Sequence, residues 1–296
     1  MCDGPFPIRE GPVSATETMS TSNNPSTAGP SSSSSNGVPL LALRGVTKRF
    51  GPVQALTGVD FELPPAQVTA LTGDNGAGKS VTIKTIAGLW PPDEGQLVWE
   101  GQPVSFHGPR DSEAAGITTI YQDLALCENL DIVQNMFLGH EELRRGLLDE
   151  GSMELTAKKT LADLSVTTIR SIRQPVASLS GGQRQSVSVA KAVMSHAKLV
   201  ILDEPTAALG VAQTRMVLSL IKRLSSQGVA VMVVSHNLND VFEVADRIVV
   251  LYLGRMVAQG PASEFDAAMV VDYMTTGRSS RTSPTAPADP AAPREG

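Results

Sequence analysis

A mostly parallel α/β sheet is the fold class this sequence predicts, on three observations. Short β-rich apolar runs alternate with helical patterns through the middle of the chain. At least one of these runs, Leu199 to Leu202, is continuously apolar, as a strand covered on both faces must be. Another, Val68 to Leu71, leads through a glycine-rich turn into a helical stretch, the unit from which such sheets are built.

In chain order, residues 1–38 are dominated by Ser, Thr, Pro, Gly and Asn and cannot bury enough apolar area to order themselves, so a disordered tail is expected there. Strands are expected at Val68 to Leu71, Ile117 to Tyr121, Leu199 to Leu202, Val229 to Val234 and Ile248 to Leu253. From about 123 to 176 no strong strand signal occurs; the stretch reads as helical segments with a charged turn at Glu141 to Arg145, and with the helix that follows it forms an inserted helical subdomain at about 123–187. Val217, Leu220, Ile221 and Leu224 follow i, i+3, i+4, i+7 spacing before Gly228, which predicts an amphipathic helix packed on the sheet. Residues 277–296, rich in Pro, Ala, Ser and Thr, read as a second disordered tail around a domain at 39–276.

Composition narrows the function classes. The 296 residues are 41% hydrophobic, enough for a self-sufficient core. Cys2 and Cys127 are the two cysteines, too few for a disulfide framework or a cysteine-based zinc site. No run approaches the roughly 20 apolar residues of a membrane span. The first residues lack the pattern of a secretory signal, so a cytoplasmic chain is expected. A formal charge of −6 gives no general attraction to nucleic acid, which is not expected as a partner.

Gly73-Asp74-Asn75-Gly76-Ala77-Gly78-Lys79-Ser80 satisfies the G-x-x-x-x-G-K-[ST] pattern, between an expected strand and an expected helix at 80–87. Its glycines let successive N–H groups wrap a phosphate, the helix N-terminus adds a positive dipole end, Lys79 neutralises terminal phosphates and Ser80 reaches Mg2+. A chance match in a chain this long is expected about 1% of the time. Asp203-Glu204 emerges at the carboxyl end of the run Leu199 to Leu202, where α/β folds bind ligands. This suits Asp203 to a site beside Mg2+ and Glu204 to the role of base polarising the attacking water.

Leu179-Ser180-Gly181-Gly182-Gln183-Arg184-Gln185, leading into a helical stretch to Ser195, closely resembles the signature of ATP-binding cassette (ABC) proteins. The resemblance covers about 40–272. It implies a phosphate-loop NTPase core, an antiparallel β subdomain near the N-terminus and a head-to-tail dimer in which Ser180, Gly181, Gly182 and Gln183 of one subunit complete the ATP site built on Lys79 and Val81 of the other. It also implies Phe50 as the aromatic that stacks on adenine, Gln122 as the glutamine that reaches Mg2+ and couples hydrolysis to the helical insert, and His236 as a donor to the γ-phosphate that holds Glu204 and water in line. The partners implied are a second ATP-binding subunit, simplest as a homodimer, transmembrane permease subunits at the cytoplasmic membrane face and, indirectly, an extracytoplasmic sugar-binding protein.

Two stretches, Tyr121 to Cys127 with Asn129-Leu130, and Glu204 to Val211, resemble bacterial importers of ribose, xylose and fructose type. That makes monosaccharide import the favoured reading, beside ATPases for other transported substrates and soluble non-transport ABC ATPases. Val81 and Gly210 depart from a common family pattern, replacing a hydroxyl that could reach the α-phosphate and a carboxylate of the interface loop.

Overall fold

A computed structural model describes residues 38–207 and 209–278. The expected tails at 1–38 and 277–296 lie outside the described residues, apart from Val38, Gly277 and Arg278. In chain order the elements are β1 (Leu41–Phe50), β2 (Val53–Leu63), β3 (Val68–Gly73), α1 (Lys79–Ile86), β4 (Glu94–Trp99), β5 (Gln102–Val104), α2 (Pro109–Ala114), β6 (Ile117–Ile120), α3 (Ile132–Phe137), β7 (Leu143–Arg144), β8 (Leu147–Leu148) and α4 (Glu150–Asp163). They continue with α5 (Gly181–Met194), β9 (Leu199–Asp203), α6 (Val211–Ser226), β10 (Ala230–Val234), α7 (Leu238–Val244), β11 (Arg247–Tyr252), β12 (Arg255–Pro261) and α8 (Ala267–Thr276).

The central sheet has the order β12-β11-β3-β10-β9-β6, in which every neighbouring pair is parallel except β11 with β12. A second sheet, β2-β1-β4-β5, is antiparallel throughout. All five expected strands are present, and Leu253 falls just past β11, in the turn to β12.

Continuous apolarity in β9 and β10 reflects coverage on both faces. Leu199 and Ile201 of β9 pack, with Met232 and Val234 of β10, in a core shared with the antiparallel sheet and with Ile83 and Ile86 of α1. Val200 and Leu202, with Val231 and Val233, point the other way into a core shared with α3, α4, α5 and the apolar stripe of α6. Each fully buried Val, Leu or Ile contributes about 1.5–3 kcal/mol, so two-sided burial fixes these strands more strongly than one-sided burial would. Val217, Leu220, Ile221 and Leu224 are all buried on α6, as their spacing predicts.

The segment expected to be helical from 123 to 176 carries α3 and α4 but also the small hairpin β7–β8, with Leu143, Leu147 and Leu148 exposed. The two-residue turn between them has Arg145 at φ 53° and Gly146 at φ 82°, so a tight turn stands where a charged helix-to-helix turn was expected. Asp131 caps α3 reciprocally with Gln134, and Arg173 bonds Asp131, Glu150 and Glu154, tying the start of α3 to the start of α4.

Candidate active site

The phosphate loop joins β3 to α1, and its shape is set by close backbone approaches. A Cβ on Gly73 would stand 2.5 Å from the Leu251 carbonyl oxygen of the neighbouring strand, so no side chain fits there. Gly78, at φ 104°, faces Leu56 and the Ala55 carbonyl and serves as the left-handed N-cap of α1. With the loop held this way, Lys79 is nearly buried and donates from Nζ to the carbonyls of Gly73 and Asp74 at 2.7 and 3.0 Å.

A cleft of about 590 Å³ opens above the loop. Asn75, Gly76, Gly78, Lys79, Ser80, Val81, Gln122, Asp203, Glu204 and His236 line it, so most of the residues singled out in the sequence converge here. Parallel pairing explains the convergence: β3, β9, β10 and β6 end on the same edge of the sheet, and each side chain is delivered by the segment that leaves it. Gly73 and Asp74 form the base of the loop, with Ala77 buried behind it.

Glu204 occupies left-handed backbone space at φ 48°, a conformation that costs a non-glycine residue about 1–2 kcal/mol. Its N–H donates to the Val234 carbonyl at 2.9 Å, which holds the turn after β9 against the end of β10. Glu204 Oε1 thereby lies 2.7 Å from Nδ1 of His236, whose ring is largely exposed to the cleft. One layer further out, Thr206 Oγ1 donates to Oδ2 of the buried Asp240 at 2.6 Å, joining the loop after Glu204 to the helix after His236.

The charges are mutually adjusted. Burial pushes the Lys79 ammonium below the usual lysine range, against the opposing pull of Glu204, Asp74 and Asp203. Burial, then the neighbouring Glu204 carboxylate, raises the Asp203 carboxyl, with Lys79 and Lys84 acting in the opposite sense. Each is a charge held partly out of water and close to opposite charge, so a bound anion and cation that matched them would find the site already organised.

The remaining candidates stand elsewhere. The Ser180–Gln183 stretch opens α5, where Ser180 accepts from Gln183 N–H and the Gln183 side chain accepts from Ser180 N–H. Among these residues Gly181 lines a second cleft, of about 330 Å³, with Gln122 and Glu204 on its other walls, and none of them lines the phosphate-loop cleft. Phe50 does not line the phosphate-loop cleft either: its ring meets Trp90 edge-on, with centroids 4.8 Å apart. Its cross-strand partner Val53 does line it, as do Gln54, Ala55, Leu253 and Gly254, which carried no recognisable signal in the sequence. Val81 lines the cleft, while Thr82 is fully buried and donates to the Gly78 carbonyl, so Thr82 does not replace the missing hydroxyl. Gly210 is the N-cap of α6, its N–H donating to the Gln213 side chain.

A parallel sheet with a phosphate loop at its switch edge, and two carboxylates facing that loop's lysine, define an ATP-binding domain. Comparison with known proteins specifies it further. Residues 56–207 match the ABC transporter family model. The chain is 46% identical to the fructose import ATP-binding protein FrcA of Rhizobium meliloti, covering 80% of this chain and 94% of that protein. It is 45% identical to the xylose/arabinose import ATP-binding protein XylG of Sulfolobus acidocaldarius, with the same coverage. It is 44% identical to the ribose import ATP-binding protein RbsA 2 of Rubrobacter xylanophilus, of which it spans 46%. Among solved structures, it resembles the ADP conformation of the ABC transporter cassette MJ1267, with TM-score 0.70 at 24% identity over 81% of this chain and 96% of that one. It also resembles the dimeric cassette MJ0796, with TM-score 0.65 at 24% identity over 76% and 100%. This chain belongs to the ABC transporter family as an ATP-binding protein.

Proposed function

We propose that this chain is the ATP-hydrolysing subunit of an ABC importer for a monosaccharide. The observation that carries the hydrolytic part is the meeting of Lys79, Asp203, Glu204 and His236 on one cleft, with Glu204 held by His236 at 2.7 Å. The N–H groups of the loop from Gly73 to Val81 cradle the phosphates, and Lys79 turns from its own loop's carbonyls to the terminal phosphates. Ser80, Asp203 and Gln122 supply the hard oxygen donors that suit Mg2+, which when bound neutralises charge developing on the transferred phosphoryl group. Glu204 accepts hydrogen bonding from the attacking water and aligns it. Nδ1 of His236 is engaged with Glu204 Oε1, which leaves Nε2 as the ring nitrogen that faces the γ-phosphate. Phe50, outside the cleft lining but exposed and cross-strand from the cleft-lining Val53, is the aromatic ring available to an adenine that extends past Val53.

Ser180, Gly181, Gly182 and Gln183 act in trans. The capped N-terminus of α5 is an anion-binding device facing a different cleft from Lys79, so a second copy of the chain, arranged head to tail, supplies it to the neighbour's ATP. A dimeric state reported for MJ0796 supports this arrangement. The cassette comprises 39–276, and its helical subdomain at 123–187 faces permease subunits at the cytoplasmic side of a membrane, with Gln122 as the joint through which hydrolysis is coupled to them. No helix among the described residues is long and apolar enough to cross a membrane, in keeping with this peripheral role. An extracytoplasmic binding protein selects the sugar.

The sugar assignment is supported by relatives named for fructose, xylose/arabinose and ribose import. Uptake of radiolabelled fructose, xylose, arabinose and ribose by cells with and without the gene tests it. Loss of uptake of one of these sugars, restored by the wild-type gene and not by Glu204→Gln, is the expected result; undiminished uptake of all four would exclude the sugar reading.

A further inference from the structure

Val53 and Leu253 are large apolar side chains that are 61% and 69% exposed, and both line the phosphate-loop cleft. Leu253 is held there at a backbone cost. Leu253 and Gly254 form the two-residue turn between β11 and β12, with Tyr252 paired to Arg255 and φ values of +44° and +77°. Positive φ at both central positions is what a type I′ turn requires, and Asn, Asp or Gly meet it cheaply, whereas the leucine Cβ crowds the following carbonyl. Core burial does not offset this, since most of the side chain faces solvent. Strain kept at an exposed position points to use of the side chain itself.

The turn is fixed to the site. Gly254 N–H donates to the Ala77 carbonyl of the phosphate loop at 3.0 Å, and the Gly254 carbonyl accepts from Thr57 N–H at 2.8 Å. A Cβ on Gly254 would lie 2.6 Å from the Ala55 carbonyl, so the turn abuts the strand that carries Val53 two residues earlier. Leu253 and Val53 thus line the cleft from two segments in backbone contact with each other, one of them hydrogen-bonded to the loop that takes the phosphates.

We infer that Leu253, with Val53, is a nucleotide-contacting residue that packs against the base and ribose of bound ATP, an inference that rests on ATP occupying the phosphate-loop cleft. Lys79, Ser80, Asp203 and His236 match the triphosphate and its cation. The base and sugar require apolar area, and these two side chains supply it without hydrogen-bonding groups. Such a contact distinguishes a nucleotide from a bare polyphosphate but not one purine from another.

The test is calorimetric binding to the purified full chain, in EDTA to prevent hydrolysis, of ATP, GTP and inorganic tripolyphosphate, together with thermal unfolding without ligand. For Leu253→Asn, ATP and GTP affinities fall by about fivefold each, tripolyphosphate affinity is unchanged, and the melting temperature rises by about 2 °C as turn strain is relieved. Leu253→Met, which keeps the apolar contact, binds ATP as the wild type does. Unchanged ATP affinity in Leu253→Asn, or an equal loss for tripolyphosphate, overturns the contact; a lowered melting temperature overturns the strain from which it was inferred. A wild-type chain that binds no ATP would instead overturn the underlying assignment of the cleft.

Discussion

Replacing Thr206 with valine removes one hydroxyl at nearly constant volume, and the structure fixes what that hydroxyl does. Thr206 Oγ1 donates to Asp240 Oδ2 at 2.6 Å, and Asp240 is 7% exposed. A hydrogen bond to a charged group contributes about 1.5–3 kcal/mol, and its removal leaves a buried carboxylate without that donor. The loss expected for Thr206→Val is therefore about 2 kcal/mol, or a fall of about 4–8 °C in melting temperature for a domain of this size. Asp240→Asn keeps an acceptor oxygen but not the charge and should cost about 1 kcal/mol. Urea unfolding of the two single variants and the double variant should give a coupling energy of about 1 kcal/mol. Because the bond joins the loop after Glu204 to the helix after His236, Thr206→Val should also lower kcat by about tenfold with KM little changed. Additive single effects, within about 0.3–0.5 kcal/mol, would show that the two side chains do not support each other. An unchanged kcat would show that the bond plays no part in holding Glu204 to His236.

Gly73→Ala should abolish nucleotide binding and cost more than about 3 kcal/mol, because its methyl would stand 2.5 Å from a strand carbonyl. Gly76→Ala, with open space but φ 81°, should cost about 1 kcal/mol; chemical unfolding of both variants separates close approach from backbone strain. Lys79 is held below its ordinary value of 10.5, so between its folded pKa and 10.5 the unfolded chain binds the extra proton and stability rises with pH. Lys79→Met lacks this contribution, so as the pH rises toward 10.5 its urea midpoint should gain less than that of the wild type.

The inner parallel strands were legible because two-sided burial forces nearly unbroken apolar runs, as in Leu199 to Leu202, whereas the edge strand β6, with Thr118 and Thr119 half-buried, was legible from its β-branched residues. The antiparallel sheet was not legible from periodicity. β1 and β2 carry register shifts between Leu43 and Val46 and again at Lys48, which break the two-residue alternation, and a resemblance to known cassettes was needed to expect them. The hairpin at 143–148 was missed because its leucines are exposed rather than packed in a core. In the site, residues in glycine-rich or acidic motifs were visible because phosphate and metal chemistry restrict the residue types. Val53, Leu253 and the Thr206–Asp240 pair were not, since apolar contacts and a pairing across 34 positions leave no local pattern.

Hydrolysis of ATP by the purified full-length chain in the presence of Mg2+, comparing wild type with Glu204→Gln and following molecular mass on addition of ATP, bears most directly on the assignment of the site. Turnover should fall by about 10²-fold or more in Glu204→Gln, while the variant binds ATP and shifts to twice its mass. Turnover equal to that of the wild type would remove Glu204 as the base, and a variant that stays monomeric with ATP bound would contradict completion of the site by Ser180 and Gly182 of a second copy.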